Sequence, residues 1–122
     1  MARLPTNTGK RLLGKIVAGD VYLALDRADV VGSARVDSLW PEQCPLLSCL
    51  YIEPAYRKMA LSDQLRQFVY QSLKAEGSTS LLRSACTERP HMVSRLRAEG
   101  LQEAGRLKFL NGVEEIFFWH HL

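Results

Sequence analysis

Two basic residues, Arg57 and Lys58, stand between an apolar run, Leu46 to Ile52, and an amphipathic stretch that begins near Ala60. The run reads as a strand buried on both faces at the centre of a sheet, and the stretch reads as a helix. A buried strand therefore feeds a helix through a basic loop. Helix N-termini expose free N–H groups and a partial positive charge, and they bind phosphate. Arg57 and Lys58 would add charge-assisted contacts, while the small side chains of Ala60 and Ser62 would let a pyrophosphate approach the backbone. On charge alone, the same pattern also describes a plain βα turn carrying a solvated Arg-Lys pair.

Other residues carry a chemical reading and a plainer one. Glu53 can accept a proton beside the loop, or simply solvate a strand end. Tyr51 can face a cleft or fill core. Ser48 and Cys49 can touch an acyl group or pack inside the strand, and His91 can carry a proton near neutral pH or stand exposed at a helix start. Tyr56 reads as a packing residue, and Trp40 as a groove or core residue in the loop from Leu39 to Pro45. The cysteines, Cys44, Cys49 and Cys86, are odd in number, irregular in spacing and without a C-x-x-C pair. They read as structural thiols in a reducing compartment rather than a disulfide framework or zinc site. Cys49 is expected in the core, and Cys86 could face a cleft. No acidic or Cys ligand stands at metal spacing near His120-His121, so no metal is expected.

The elements that must position these residues follow from periodicity. Residues 1–8 read as a polar, flexible tail. Leu12, Leu13, Ile16 and Val17, spaced by three and four, predict a short helix over 10–18. Val21–Leu25 and Val30–Val36 read as a hairpin around the four-residue loop Asp26–Asp29. The helix from Ala60 to Ala75 places Leu61, Leu65, Phe68, Val69 and Leu73 on one face and closes at Glu76-Gly77. Ser80–Ala85 is a further strand. Pro90 opens a second helix that ends at Gly100, Gly105 and Asn111-Gly112 signal turns, and Val113–Trp119 is a final strand.

The 122 residues suit one domain, expected over 9–122. The composition, 47% hydrophobic and 24% charged, argues against disorder. No run approaches the ~20 apolar residues of a membrane span, and no signal peptide is visible, so a soluble, cytoplasmic protein is expected. The net charge of +3 fits a mild preference for anionic partners. An RNA- or DNA-binding domain would concentrate its basic residues with stacking aromatics. Here they are spread and interleaved with acids, so that reading ranks last.

The chain resembles the GNAT superfamily of acetyl-CoA-dependent N-acetyltransferases. Ile52-Glu53-Pro54-Ala55-Tyr56-Arg57 is similar to that family's V-x-P-x-Y-R strand end, and Arg57-Lys58-Met59-Ala60-Leu61-Ser62 to its R/Q-x-x-G-x-G/A loop. Ala98-Glu99-Gly100-Leu101 sits where the family has a Gly-Phe. Gly19–Ala24 and Val31-Gly32 look like its early strands, and the likeness covers roughly residues 10–120.

The resemblance implies an α+β fold: a mixed, mainly antiparallel sheet with a splayed central strand pair and helices on both faces. It implies that Leu50 and Ile52 pair with the pantetheine arm, and that Arg57, Lys58, Met59, Ala60, Leu61 and Ser62 hold the pyrophosphate. Arg89 would meet coenzyme A by its charge. A main-chain N–H would stabilise the oxyanion, and an acceptor amine would attack directly after losing a proton to a base, for which Glu53 and Tyr51 are the candidates. The co-substrate would be acetyl-CoA with no metal, the acceptor a small-molecule or peptide amine, and a homodimer would form through the C-terminal strand.

The sequence departs from the family pattern at Ala60 and Ser62, where the glycines stand, at Leu96, where a proton-donating Tyr stands, and at Arg89, where an Asn stands. These changes favour, as the alternative, a catalytically weak or inactive coenzyme-A-binding or regulatory protein of the same fold. The family usually spends ~140 or more residues, within the ordinary single-domain range. The shortfall is expected at the N-terminus, in the wall of the acceptor site.

Overall fold

The computed structural model describes residues 2–8, 11–16, 20–39 and 44–122. Its elements, in chain order, are β1 (Ala2–Thr8), β2 (Arg11–Ile16), β3 (Val21–Asp26), β4 (Asp29–Leu39), β5 (Cys44–Ile52), α1 (Leu61–Ala75), β6 (Ser80–Cys86), α2 (Pro90–Ala98), β7 (Gln102–Lys108) and β8 (Glu114–His121). A 3₁₀ turn, Pro54–Tyr56, precedes α1. The eight strands form one sheet in the order β1-β2-β3-β4-β5-β6-β8-β7. Every neighbouring pair is antiparallel except β5 and β6. The expected α+β class with a mixed, mainly antiparallel sheet is what is observed.

Two N-terminal expectations are corrected. The segment read as a tail is strand β1, paired with β2 through Thr8 and Arg11. Where a helix was expected over 10–18, Arg11–Ile16 is a strand, with Leu13 against Ala24 of β3 and buried. Six residues are too few for spacing alone to separate a helical stripe from a strand, and pairing on both sides decides for the strand. Residues 9, 10 and 17–19, and Trp40 with its loop through 43, lie outside the described residues. The β3–β4 connection is also tighter than the expected four-residue loop. Asp26 pairs with Asp29, leaving Arg27 and Ala28 as the turn, with Arg27 at φ 59°.

Helix α1 begins and ends close to its sequence signals. Leu61, Leu65, Phe68, Val69, Tyr70 and Leu73 are buried, and full burial of one such aliphatic side chain is worth roughly 1.5–3 kcal/mol. Gly77, at φ 99°, ends the helix. Its own N–H reaches the Lys74 carbonyl, and the next N–H, of Ser78, bonds back to the Leu73 carbonyl at 2.9 Å.

The register fixes which face each residue shares. Tyr22 pairs with Ala34, Ala24 with Gly32, Gly32 with Ile52, Val36 with Leu47, Leu47 with Arg83 and Arg83 with Phe118. Helix α1 buries its apolar stripe against Tyr22, Ala24, Ala34, Val36, Ile52 and Leu81 of that face. Helix α2 buries Val93 and Leu96 against Ala85, Ile116 and Phe118 of the same face. Among the described residues, therefore, both helices cover one face, and the expectation of helices on both faces is met on one face only. Trp119, Phe117 and Leu82 alternate onto the other face, where Trp119 and Phe117 are half-buried.

Strand β8 is flanked by β6 and β7, so the edge of this half of the sheet is β7, not the C-terminal strand. All seven residues of β7 are exposed, and its register slips between Glu103 and Gly105. The turn expected at Gly105 thus falls inside a strand. The Asn111-Gly112 turn is present as expected, with Asn111 Oδ1 accepting from the Val113 N–H at 3.0 Å.

Candidate functional site: a one-sided strand beside a helix start

The parallel pair β5–β6 is registered only at Leu46 with Leu82 and at Leu47 with Arg83. Past that point the two strands part, while β5 stays paired with β4 as far as Ile52. The Glu53 N–H donates to the Val31 carbonyl of β4 at 2.8 Å. By the two-residue alternation of a strand, the amides of Tyr51 and Cys49 also turn toward β4. Those of Leu50 and Ile52 turn to the opposite edge, into the gap. This is the splayed central pair expected from the sequence. It opens where the register of β5 against β4 slips between Arg35 and Val36, a bulge that adds twist.

Burial along β5 corrects the two-face expectation. Pro45 and Ile52 are buried, but Ser48, Cys49 and Tyr51 are exposed, so Cys49 is not a core thiol. The strand is central in the sheet order, yet its upper half has one neighbour and one uncovered face. Among the described residues no group of His, Cys, Asp and Glu is arranged to hold a metal.

Because β5 and β6 are parallel, the segments that follow them lie at the same end of the sheet. One is the loop from Glu53 to Ala60. The other is the turn Thr87–Arg89, whose last residue caps α2. The sequence-derived basic residues Arg57, Lys58 and Arg89 thus come to one end. All three are exposed. Arg89 also lines a cleft of about 430 Å³ with Ser84, Cys86, Glu88, Met92 and Glu115.

Several of these residues have a local task. Arg57 Nε donates to the Ile52 carbonyl at 2.8 Å, and its guanidinium lies 5.5 Å from the centroid of the Tyr51 ring. It fastens the loop to the end of β5. The half-buried Tyr56 donates its hydroxyl to Asp26 Oδ2 of the β3–β4 turn at 2.7 Å. Lys58 and Met59 are exposed, Leu61 is fully buried and Ser62 is half-buried. Glu53 and Tyr51 are both exposed. Leu96 is inside the α2 core.

Ala60 is the informative residue of the loop. It caps α1 at φ 56°, ψ 15°, the left-handed region, where a Cβ costs roughly 1–2 kcal/mol. The position thus has the backbone that favours glycine, although the residue is alanine. The sequence reading took it as helical. The Gln64 N–H bonds the Ala60 carbonyl at 3.1 Å as the first bond of the helix, so the N–H groups of Leu61, Ser62 and Asp63 precede the helical ladder. Three N–H groups, a left-handed cap and adjacent cations suit a pyrophosphate, and the edge of β5 suits an extended arm with amides.

Two polar groupings were missed by sequence reasoning. At the bulge, the Ser48 hydroxyl donates to the Arg35 carbonyl at 3.2 Å. When that hydroxyl turns its single proton to Asp37 instead, it and then the Arg35 guanidinium, with Nε at 3.0 Å, hold the Asp37 carboxyl below its ordinary range against the opposing effect of burial. The second is Arg83, 8% exposed and the buried charge among the described residues. Its Nη1 donates to Glu99 Oε1 at 2.7 Å. Nothing in the local sequence marks a strand arginine whose partner lies at the far end of the next helix.

A mixed sheet with a single parallel pair that splays, a basic loop and a helix start at the mouth of the gap define a class of fold. That fold is the one shared by the GNAT acetyltransferases. No protein-family model and no curated protein sequence matches the chain, but solved structures do. One is a Bacillus anthracis protein assigned as a streptothricin acetyltransferase, in complex with acetyl coenzyme A. It is 12% identical, with 95% of this chain and 65% of that chain covered and a TM-score of 0.68. A Desulfovibrio desulfuricans protein assigned to the GNAT family is 16% identical over 83% of this chain and 67% of its own, with a TM-score of 0.70. The ribosomal-protein-S18-alanine N-acetyltransferase of Escherichia coli is 12% identical over 94% and 71%, with a TM-score of 0.65. The chain thus spans about two thirds of the length of the proteins it resembles.

Proposed function

We propose that the protein is an N-acetyltransferase that moves an acetyl group from acetyl-CoA to a primary amine by direct attack. One observation carries this reading: the upper half of β5 keeps an unpaired edge that opens beside the N-terminus of α1. When bound, acetyl-CoA supplies an acyl group activated as a thioester. The amides of Leu50 and Ile52 face the edge along which its arm would lie, although the Ile52 carbonyl is already engaged by Arg57. The N–H groups of Leu61 to Asp63, with Lys58 and Arg57, would hold the diphosphate, and Arg89 would add charge from the far side of the gap. Glu53 and Tyr51 are the side chains offered for proton transfer from the attacking amine. The acceptor is a small-molecule or peptide amine. A partner copy that paired through this end of the sheet would meet the β7 edge, because β8 is paired on both sides.

A second reading, coenzyme-A binding without turnover, is favoured by two observations. Ala60 carries a Cβ in a left-handed cap, and Leu96 is locked in the core.

Thermal unfolding with acetyl-CoA tests both, because a ligand of the native state raises Tm. We expect Tm to rise with acetyl-CoA and thiol to be released with at least one of a panel of amines. A Tm shift without thiol release selects the second reading. No shift at millimolar acetyl-CoA removes both. Lys58→Glu is expected to shrink the shift while leaving the ligand-free Tm unchanged. Arg57→Glu is expected to abolish the shift but also to lower the ligand-free Tm, because it breaks the bond to Ile52.

A further inference from the structure

Strand β8 carries a row of side chains that the proposed reaction leaves unused. Glu115, Phe117 and Trp119 alternate with the buried Ile116 and Phe118, so they share the face that neither helix covers. All three are half-buried. The row runs beside the gap. Glu115 pairs with Cys86 of β6, and Phe117 pairs with Ser84. Ser84 and Cys86 follow Arg83, the last residue of β6 in register with β5, and so they form one lip of the gap. Glu115 lines a common cleft with both of them and with Arg89.

Glu115 differs from the other acids. Among the described residues the half-buried carboxylates are Asp26, Asp37, Glu114 and Glu115. Asp26 accepts from Tyr56, Asp37 accepts from Arg35, and Glu114 lies 3.6 Å from Arg106. The Glu115 carboxylate has no such partner among the described residues. Its cross-strand neighbours are Cys86 and Leu107, neither of them a cation, and Arg89 shares its cleft without pairing to it. A carboxylate that has lost part of its water shell gains from a cation that donates hydrogen bonds.

The rest of the row is apolar, with free space beside it. Phe117 faces Gly105 of β7, where an added Cβ would meet nothing within 4 Å. Trp119 faces Gln102. Along the pairing from Trp119 through Leu82 and Leu46, the next acid is Asp37, which Arg35 already holds. A ligand here finds one carboxylate for one positive charge and two rings for its body. Because α1 and α2 cover the other face, a molecule that reaches the gap from the open face passes this row.

We propose that Glu115, Phe117 and Trp119 form the acceptor subsite, and that it selects a monoamine. The ammonium meets the Glu115 carboxylate, and an aromatic or otherwise apolar body lies over Phe117 and Trp119. That the bound amine is then acetylated rests on the function proposed above. That it binds here does not.

The test is an NMR titration of the full, coenzyme-free chain at neutral pH with phenethylamine, 2-phenylethanol and spermidine. We expect phenethylamine to shift the Glu115 to Trp119 amides saturably. It should bind about tenfold more tightly than 2-phenylethanol, which has the ring without the charge, because a hydrogen bond to a charged group is lost. It should also bind more tightly than spermidine, which has charge without a ring. Glu115→Gln should weaken phenethylamine by about tenfold, whereas Glu88→Gln, an exposed acid of the same cleft, should change it by less than about twofold. Gly105→Phe should fill the space beside Phe117 and weaken phenethylamine with Glu115 still in place. It decides the matter if Glu115→Gln does not fold. Equal losses in Glu88→Gln and Glu115→Gln would mean attraction by net charge only and would overturn the proposal. Equal affinity for spermidine, or shifts confined to residues away from β8 and β6, would overturn it too. A native protein that binds acetyl-CoA but no amine keeps its coenzyme site and loses this subsite. One that binds phenethylamine at Glu115 without acetylating it keeps the subsite and loses the proposed reaction.

Discussion

The two halves of the molecule solve the same packing problem with unequal means. Among the described residues, α1 and β2–β5 share with Leu81 of β6 a cluster of fourteen buried residues, while α2 rests on Ala85, Ile116 and Phe118 in a cluster of five. The larger half can lose the β6 edge along upper β5 and remain packed. The smaller half is held by the β6–β8 ladder, by Phe118 and by the Arg83–Glu99 ion pair. An open groove between two strands therefore needs one robust half to carry it, and the thin half is the side whose support is easiest to remove.

The largest expected effect tests that asymmetry directly. Phe118→Ala removes the largest fully buried side chain of the thin half. It should cost about 3–5 kcal/mol, read by urea unfolding. A loss under about 1 kcal/mol would mean that the small cluster is not what holds α2.

A smaller effect, of opposite sign, sharpens the picture of the robust half. Ala60→Gly relieves the left-handed cap of α1. It should raise stability by about 0.5–1 kcal/mol, the strain being partly offset by glycine's greater entropy loss. If thermal unfolding shows a decrease, the cap is not strained.

The smallest effect lies where the two halves meet, at His120 of β8, which stacks on Tyr70 of α1. Burial first, and then the charges of Arg83 and His121, hold the His120 imidazole below its ordinary value near 6.5, against the opposing pull of Glu99. The native state thus favours neutral His120, and the unfolded chain binds the proton more readily. Stability should therefore hold above pH 6.5 and fall as the pH drops below it. In His120→Phe the loss over pH 6.5 to 5.5 should be smaller than in the native protein. Equal losses would place the acid sensitivity elsewhere.

Much of the fold was legible because it depends on local pattern. The stripe from Leu61 to Leu73, the proline before α2 and the β3–β4 hairpin all announce themselves within a few residues. The loop from Arg57 to Ser62 was legible as a place, since charge next to a helix start is a local signal. What escaped depends on neighbours distant in sequence. Arg11–Ile16 became a strand because β1 and β3 lie on either side of it. The apolar run Leu46–Ile52 promised two covered faces, but no residue within it reports that β6 turns away. Arg83 looked like an ordinary strand residue because its partner, Glu99, lies at the far end of the next helix. Ala60 hid a left-handed backbone because the residues that signal one are glycine and asparagine, not alanine.

The fastening of the basic loop has a consequence for affinity. Tyr56 clips the loop to Asp26 of the β3–β4 turn, and Arg57 clips it to the Ile52 carbonyl. A loop free in solution must lose conformational entropy when it closes on a ligand, and that loss weakens binding. Here the loss occurs during folding. If the loop takes the diphosphate as proposed, it would meet that ligand already in shape, and a few exposed cations and three amides would then serve where a mobile loop would need more contacts for the same grip.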